Sequence, residues 1–357
     1  MGVDRILAWM EASNLSTGFL TDPISIAYLT GFSTNPHERL MALVIRDAQA
    51  VLIVPGLEEE SATAAARGVS VKAWRDGEDP WAVVASVLGG GVSRLAVEKG
   101  HLSLSGWDRL QAVTGVLEAV DVGAEIRRLR ARKTPDEIEK LERAGRLTDE
   151  VTEFVLAQLE TGRAELEVAA DIERQVAGAG GRPSFATIVQ SGPNSALPHL
   201  GPTDRRIAAG DMVLVDFGVG WEGYKADITR TVVLGETDAR QGEVHSLVKA
   251  AQEAAIAAVR PGVRVGEVDE AARAVIREGG LADRFIHRVG HGLGLEAHED
   301  PSLDPGGSAI LEEGMVITIE PGVYIPGWGG VRIEDDVLVE AGGCRMLTHA
   351  HRRLTPG

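Results

Sequence analysis

The stretch DMVLVDFGVGWEGYKADITRTVVL, residues 211–234, is built of two β-rich runs around a glycine-flanked break. β-Branched and aromatic residues suit a pleated strand, and glycine permits the tight turn of a hairpin. The turn reads most naturally as GWEG, residues 220–223, which sets Asp216 on one strand opposite Asp227 on the other. Directly opposed side chains in an antiparallel pair have Cβ atoms roughly 5 Å apart, and like charges there repel. Two aspartates opposed within apolar strands therefore call for a cation between them.

A second stretch, GMVITIEPGVYIPGWGGVRIEDDVLVE at residues 314–340, repeats the pattern around a longer turn at 326–330. It places Glu320 and Glu334 at symmetric positions on its two strands. Charged residues on strands usually face solvent, and each acid alone reads that way as readily as inward. Four acids at matching positions on two hairpins argue for the inward arrangement, which is costly for bare ions. Between the hairpins, HRVGHGLGLEAHE at 287–299 sets histidines among glycines. Gly290, Gly292 and Gly294 let the backbone pack closely around His291, the fifth candidate ligand. Four carboxylates and one neutral imidazole balance two divalent cations, and two such ions about 3.5–4 Å apart activate a water between them. Oxygen-rich ligation with one nitrogen suits Mn²⁺ best, with Co²⁺ or Zn²⁺ also accommodated. Thiolate ligation is ruled out, because Cys344 is the only cysteine.

Outward from the hairpins the pattern turns helical. TPDE at 134–137 carries helix-start signals: Thr134 can cap, Pro135 suits the first helical position and Glu137 completes a capping box. That helix is predicted to reach about residue 160, with others near 164–178, 242–259 and 265–278. The two hairpins hint at a duplicated half. The first third alternates strands (GFLTD, MALVIRD, AVLIVPG, SVKAW, RLAVEKG) with helical runs, giving a small α/β domain over residues 1–125 and a second domain over 126–357. LGGGVS at 88–93 reads as a turn. The 357 residues, 44% hydrophobic, suit two folded domains, and the net charge of −17 makes nucleic acid or anionic membranes improbable partners. No secretory signal or membrane span is visible, and one cysteine fits a reducing, cytoplasmic compartment.

Asp216, Asp227, His291, Glu320 and Glu334, taken in this order with the strings VDFG, DITRT, GHGLGLEAHE, EPGVY and VRIED, resemble the ligand set of the pita-bread metallopeptidases. That family includes methionine aminopeptidase, aminopeptidase P and Xaa-Pro dipeptidase (prolidase). TDPISIAYLTGFS and the α/β first third are similar to the N-terminal domain of prolidases, aminopeptidases P and creatinase, and creatinase lacks the metal quintet. The resemblance implies a creatinase-like N-terminal domain and an α+β pita-bread domain with a curved, mainly antiparallel sheet. It further implies that His199 and His298 line the substrate cleft as catalytic residues. His287, Glu296 and Glu299 match no such role and read as structural. Arg332, two residues before Glu334, shares the metal-facing side of its strand and is placed to orient Asp227 or bind a substrate carboxylate. Phe185 and Tyr224 are candidates for a proline pocket.

Two departures bear on specificity. Leu200 follows the first cleft histidine where prolidases often carry glycine. Ser302 stands where several carry an arginine thought to hold a dipeptide's carboxylate. The loop STNPHERL, with His37, Glu38 and Arg39, resembles one that in some bacterial prolidases reaches the neighbouring subunit's active site, implying a homodimer. The expected activity is hydrolysis of the bond before proline in dipeptides, with Glu320 shuttling the proton and His199 and His298 stabilising the oxyanion. The alternatives are an aminopeptidase P acting on longer peptides and a non-catalytic binding module.

Overall fold

The computed structural model describes residues 2–356. Its chain divides into two compact units between Arg130 and Ala131.

In the first unit, six strands form one mixed sheet: β1 (Thr17–Leu20), β2 (Ala42–Arg46), β3 (Gln49–Pro55), β4 (Ser70–Trp74), β5 (Arg94–Val97) and β6 (Glu118–Asp121), in the order β4-β3-β2-β1-β5-β6. β2 and β3 are the expected antiparallel pair, while β3–β4, β1–β5 and β5–β6 are parallel. Alternation along β2 splits its side chains between two cores. Leu43 and Ile45 join helices α1 (Gly2–Ala12), α2 (Pro23–Thr30) and α3 (Glu59–Ala65). Ala42 and Val44 join α4 (Pro80–Leu88) and α5 (Leu104–Thr114). Both faces of the sheet are therefore covered, as expected for an α/β unit. Helix α6 (Gly123–Ala131) runs across the junction expected near residue 125.

The second unit repeats one plan. Its first half has α7 (Pro135–Ala157), α8 (Glu165–Gly178), β7 (Arg182–Pro183), β8 (Ile188–Ser191), β9 (Met212–Phe217), β10 (Val219–Trp221), β11 (Tyr224–Lys225) and β12 (Ile228–Val233). Its second half has α9 (Ala239–Ala258), α10 (Val265–Glu278), β13 (His291–Gly292), β14 (Glu299–Ser302), β15 (Val316–Ile319), β16 (Gly322–Ile325), β17 (Gly329–Arg332), β18 (Asp335–Glu340) and β19 (Gly343–Met346). In each half the residue preceding the second helix bridges a later segment, Ala164 to Arg206 and Arg264 to Ile310. The Thr134–Glu137 capping box forms as expected at the start of α7. All strand pairs described in this unit are antiparallel.

The first hairpin departs from its expected register. Trp221 faces Tyr224 across a two-residue turn of Glu222 and Gly223, both at positive φ (47° and 87°). Such a turn needs left-handed backbone at both central positions, which a glycine at the second favours and the pair Trp221–Glu222 does not. Asp216 consequently faces Thr229 rather than Asp227. The slip is even-numbered, so Asp227, two residues before Thr229, stays on the same face. In the second hairpin the register is the expected one: Ile319 faces Asp335 and Gly322 faces Arg332, which brings Glu320 level with Glu334.

Each half has its own apolar core. One centres on α7, α8, β9 and β12, the other on α9, α10, β15 and β18. Each fully buried Val, Leu or Ile contributes on the order of 1.5–3 kcal/mol. Packing on this scale holds together two hairpins whose facing carboxylates repel.

Candidate metal centre

Arg230, on β12, welds the hairpins behind the acids. Its side chain is 2% exposed and all five of its N–H groups are used. They reach the carbonyls of Thr229, Glu334, Ala350 and His351 and the Asp335 carboxylate, at 2.6–3.0 Å. Thr229 adds a hydroxyl bond of 2.6 Å to Glu334 Oε2, and its carbonyl accepts from the Glu334 N–H at 3.1 Å. The Asp227 N–H donates to Asp336 Oδ2 at 2.9 Å.

His291 enters from β13. A Cβ on Gly290 would lie 2.0 Å from the Thr318 carbonyl oxygen, and one on Gly292 2.2 Å from that of Asp300. Only glycines flanking His291 allow β13 to lie this close to its neighbours, which explains their density in the sequence. The ring's Nδ1 lies 3.1 Å from the Gly292 carbonyl, so Nδ1 carries the proton and Nε2 offers its lone pair. Burial above all, with His298 and Arg288 adding to it, pushes His291 down to about 3, leaving a neutral imidazole.

The ligand atoms of Asp227, His291 and Glu334 lie within 4.8 Å of one another, and all three residues are buried. Glu320 Oε1 is 3.4 Å from His291 Nε2. Arg332 Nη2 donates to Asp216 Oδ2. Burial, then repulsion from neighbouring acids, holds Asp227 and Glu334 well above the ordinary carboxylate range. Burial also pushes Glu320 up to about 7, against the pull of Arg332. Asp216 Oδ1, Asp227 Oδ1 and Glu334 Oε1 are buried and accept no hydrogen bond. Orphaned acceptors of this kind ordinarily cost about 1–3 kcal/mol each. Converging carboxylate oxygens beside a neutral imidazole nitrogen form the donor set of a hard-to-borderline divalent cation.

The cluster lines a cavity of about 450 Å³ whose walls also include Phe185, Ile188, Pro198, His199, His287, Arg288, His298, Asp304, Tyr324 and Arg332. The expected residues Asp216, Asp227, His291, Glu320, Glu334, His199, His298, Arg332 and Phe185 are thus brought together. His298 stacks at 4.3 Å between centroids on His291. Its neighbour Glu299 is tied by a buried 3.2 Å ion pair to Lys133.

Other expected residues lie elsewhere. Tyr224 does not line the cavity: its hydroxyl donates to Glu137 on α7 at 3.0 Å and Lys140 lies over its ring. His37 and Arg39 line a different cavity, of about 680 Å³, in the first unit, where Arg39 pairs with Asp76 and Glu38. Arg332 binds Asp216, not Asp227, because the register slip places Thr229, to which its Nε donates at 3.1 Å, opposite Asp216.

Tyr324, Thr229 and Arg288 escaped the sequence reading. Period-two alternation carries a signal for two of them, since Tyr324 follows Glu320 by four residues and Thr229 follows Asp227 by two. Tyr324's oxygen accepts from Arg332 Nη1 at 2.8 Å, and burial raises the phenol to about 12. Its own proton goes to His287 Nε2 at 3.0 Å, since His287 Nδ1 donates to the Arg288 carbonyl. His287, expected to lie outside the cleft as a structural residue, is instead part of the cavity wall.

Residues 139–341 match metallopeptidase family M24, and residues 3–132 match the creatinase/prolidase N-terminal domain. A protein named Xaa-Pro dipeptidase from Lactobacillus helveticus is 39% identical over 361 residues, covering 99% of this chain and 98% of its own. The crystal structure of a prolidase from Pyrococcus horikoshii superposes with a TM-score of 0.93 at 34% identity, covering 99% of both chains. An X-Pro aminopeptidase from Thermotoga maritima superposes at 0.88 with 32% identity, covering 96% of this chain and 97% of its own. Converging acids around one neutral imidazole and these full-length likenesses lead to one conclusion: the chain belongs to metallopeptidase family M24 and is a metal-dependent peptidase with a creatinase/prolidase N-terminal domain.

Proposed function

We propose that this chain is an Xaa-Pro dipeptidase that uses two divalent cations, Mn²⁺ by preference, held by Asp216, Asp227, His291, Glu320 and Glu334. The observation that carries the reading is the set of buried, unbonded oxygens on Asp227 and Glu334 gathered beside His291, with that of Asp216 on the same 450 Å³ cavity. Bound there, such cations supply Lewis acidity and a nucleophile available near neutral pH.

The chain's own residues do the rest. Phe185, Ile188 and Pro198 give the cavity an apolar wall suited to a proline ring. His199 and His298 face the same space as hydrogen-bonding groups for the scissile carbonyl, and one such donor is worth on the order of 3 kcal/mol in the transition state. Glu320, beside His291 Nε2, is placed to carry a proton to the leaving nitrogen. Proline's amide nitrogen has no hydrogen to donate and its ring restricts the backbone, which is why ordinary peptidases handle this bond poorly. Arg332, gripped by Tyr324 and Thr229, holds Asp216 in position.

The same proposal takes residues 1–125 as the N-terminal domain and 126–357 as the catalytic one. It places a homodimer in the cytoplasm, with His37 and Arg39 reaching the neighbouring subunit. The lone Cys344 is a free thiol, and among the described residues no helix is long and apolar enough to cross a membrane.

Ala-Pro and Ala-Pro-Ala hydrolysis with Mn²⁺, Co²⁺ and Zn²⁺ tests the reading. Faster cleavage of Ala-Pro is expected. Dominant cleavage of the tripeptide makes the enzyme an aminopeptidase P, and a metal-free protein inactive on both makes it a binding module.

A further inference from the structure

We propose that Arg288 is the anchor for the substrate's C-terminal carboxylate, and that Ser302 sets its orientation. This rests on the dipeptidase reading above.

Two arginines line the cavity, and their surroundings differ. Each guanidinium nitrogen of Arg332 already donates, to Thr229, Tyr324 or Asp216, and Asp216 neutralises its charge. Arg288 donates Nη1 to Ser302 Oγ at 2.7 Å and, among the described residues, forms no ion pair. It is a cation lining the cavity with no carboxylate in contact with it, although it exerts a longer-range pull on Glu320. A carboxylate at position 302 would have neutralised it. A serine hydroxyl instead fixes one nitrogen and leaves the charge for an incoming anion.

Geometry narrows the anion further. With Nη1 committed, the Nε and Nη2 edge of the planar guanidinium remains, and that edge pairs with both oxygens of one carboxylate. Ser302 lies on β14, four residues after His298, whose ring packs on His291. The Ser302 bond thus references Arg288 to the chemistry-bearing histidines. In a dipeptide the free carboxylate sits one residue beyond the scissile bond, always at the same offset. A tripeptide or a C-terminal amide presents a neutral amide at that offset. Arg288 therefore selects dipeptides, and Ser302 becomes part of the selection rather than a sign of its loss.

The test compares Ala-Pro with Ala-Pro-amide on the metal-loaded wild type, Arg288→Met and Ser302→Ala, with melting temperature and metal content checked for each. Removing one partner of a hydrogen-bonded charge pair predicts that Arg288→Met loses on the order of 100-fold in kcat/KM for Ala-Pro, chiefly through KM. Activity on the amide changes by no more than about threefold, because the neutral group never used the charge. Ser302→Ala, which frees the guanidinium without removing it, shifts the ratio in the same direction by a smaller factor. Equal losses on both substrates, or an unchanged KM for Ala-Pro in Arg288→Met, overturn the proposal. Failure of the dipeptidase reading shows separately, as a wild type that cleaves neither proline substrate, and it takes this proposal with it.

Discussion

Replacing Arg230 with lysine preserves the charge and removes the fork. Arg230 uses five N–H donors on five acceptors, two of them the carbonyls of Thr229 and Glu334, which lie on different hairpins. An ammonium carries three donors from a single nitrogen, so at least two of the five acceptors lose their bond. Hydrogen bonds to a charged group are worth about 1.5–3 kcal/mol each, and the acceptors stay buried, giving a loss of about 3–6 kcal/mol. In a unit of this size that corresponds to a melting-temperature drop on the order of 10 °C. Asp335 keeps Arg352 at 2.7 Å, so Arg230→Lys is expected to fold rather than leave a bare buried carboxylate. The consequence reaches the site, because the Glu334 carbonyl is one of the bonds at risk. Loosening a group that orients a ligand typically costs about 10–100-fold in metal affinity. Urea unfolding and calorimetric titration with Mn²⁺ measure the two effects. A loss of stability below about 1 kcal/mol would refute the account of Arg230 as the weld between hairpins. Lower stability with unchanged Mn²⁺ affinity would confine its role to the fold.

Four further outcomes are expected. Gly290→Ala drives a methyl into the Thr318 carbonyl, so β13 must shift, and metal content and activity fall together while the circular dichroism of the helices is retained. Asp227→Asn loses metal and activity in parallel; His298→Ala keeps its metal by elemental analysis and loses on the order of 100-fold or more in kcat. His245, on α9, is 5% exposed, and burial, aided by Lys249 and Arg230, lowers it from 6.5 to about 4. Below pH 6.5 the unfolded chain takes up a proton that the folded one refuses until about 4, so stability falls with pH across that window. The deficit approaches about 3 kcal/mol at its lower end; because His287 and His291 are also lowered by burial, the fall in urea midpoint from pH 7 to 4.5 should be smaller in His245→Gln than in the wild type, and an equal fall would refute the assignment.

Local patterns carried much of the fold. The spacing of apolar residues and the Thr134–Glu137 cap place α7, and the helices at 165–178 and 265–278 stand where periodicity predicts them. Strands β2 and β3 are legible because they are neighbours joined by a short turn. The order of the first sheet is not, since β1, β5 and β6 pair in parallel across connections that leave no local signature. Nor does the sequence reveal that β15 and β16, contiguous around Glu320 and Pro321, belong to different sheets. Proline has no N–H to donate, so the ladder breaks at Pro321 and the acid before it is turned toward the cavity.

The site shows how far a register error propagates. Setting the first turn one residue early exchanges the partner of Asp216 but keeps Asp216 and Asp227 on one face, because side chains alternate with period two. The acids therefore converge despite the error. What changes is everything that depends on the residue actually opposite. Thr229, not Asp227, faces Asp216, and from there it bonds Glu334 and supports Arg332, whose guanidinium then falls on Asp216. Ligand type is a property of faces, which survive an even slip. Positioning contacts are a property of exact neighbours, which do not. Arg288 and Ser302 lie beyond either rule: they are fourteen residues apart on a loop and a short strand, and only the folded chain brings the cation to the hydroxyl at the cavity wall.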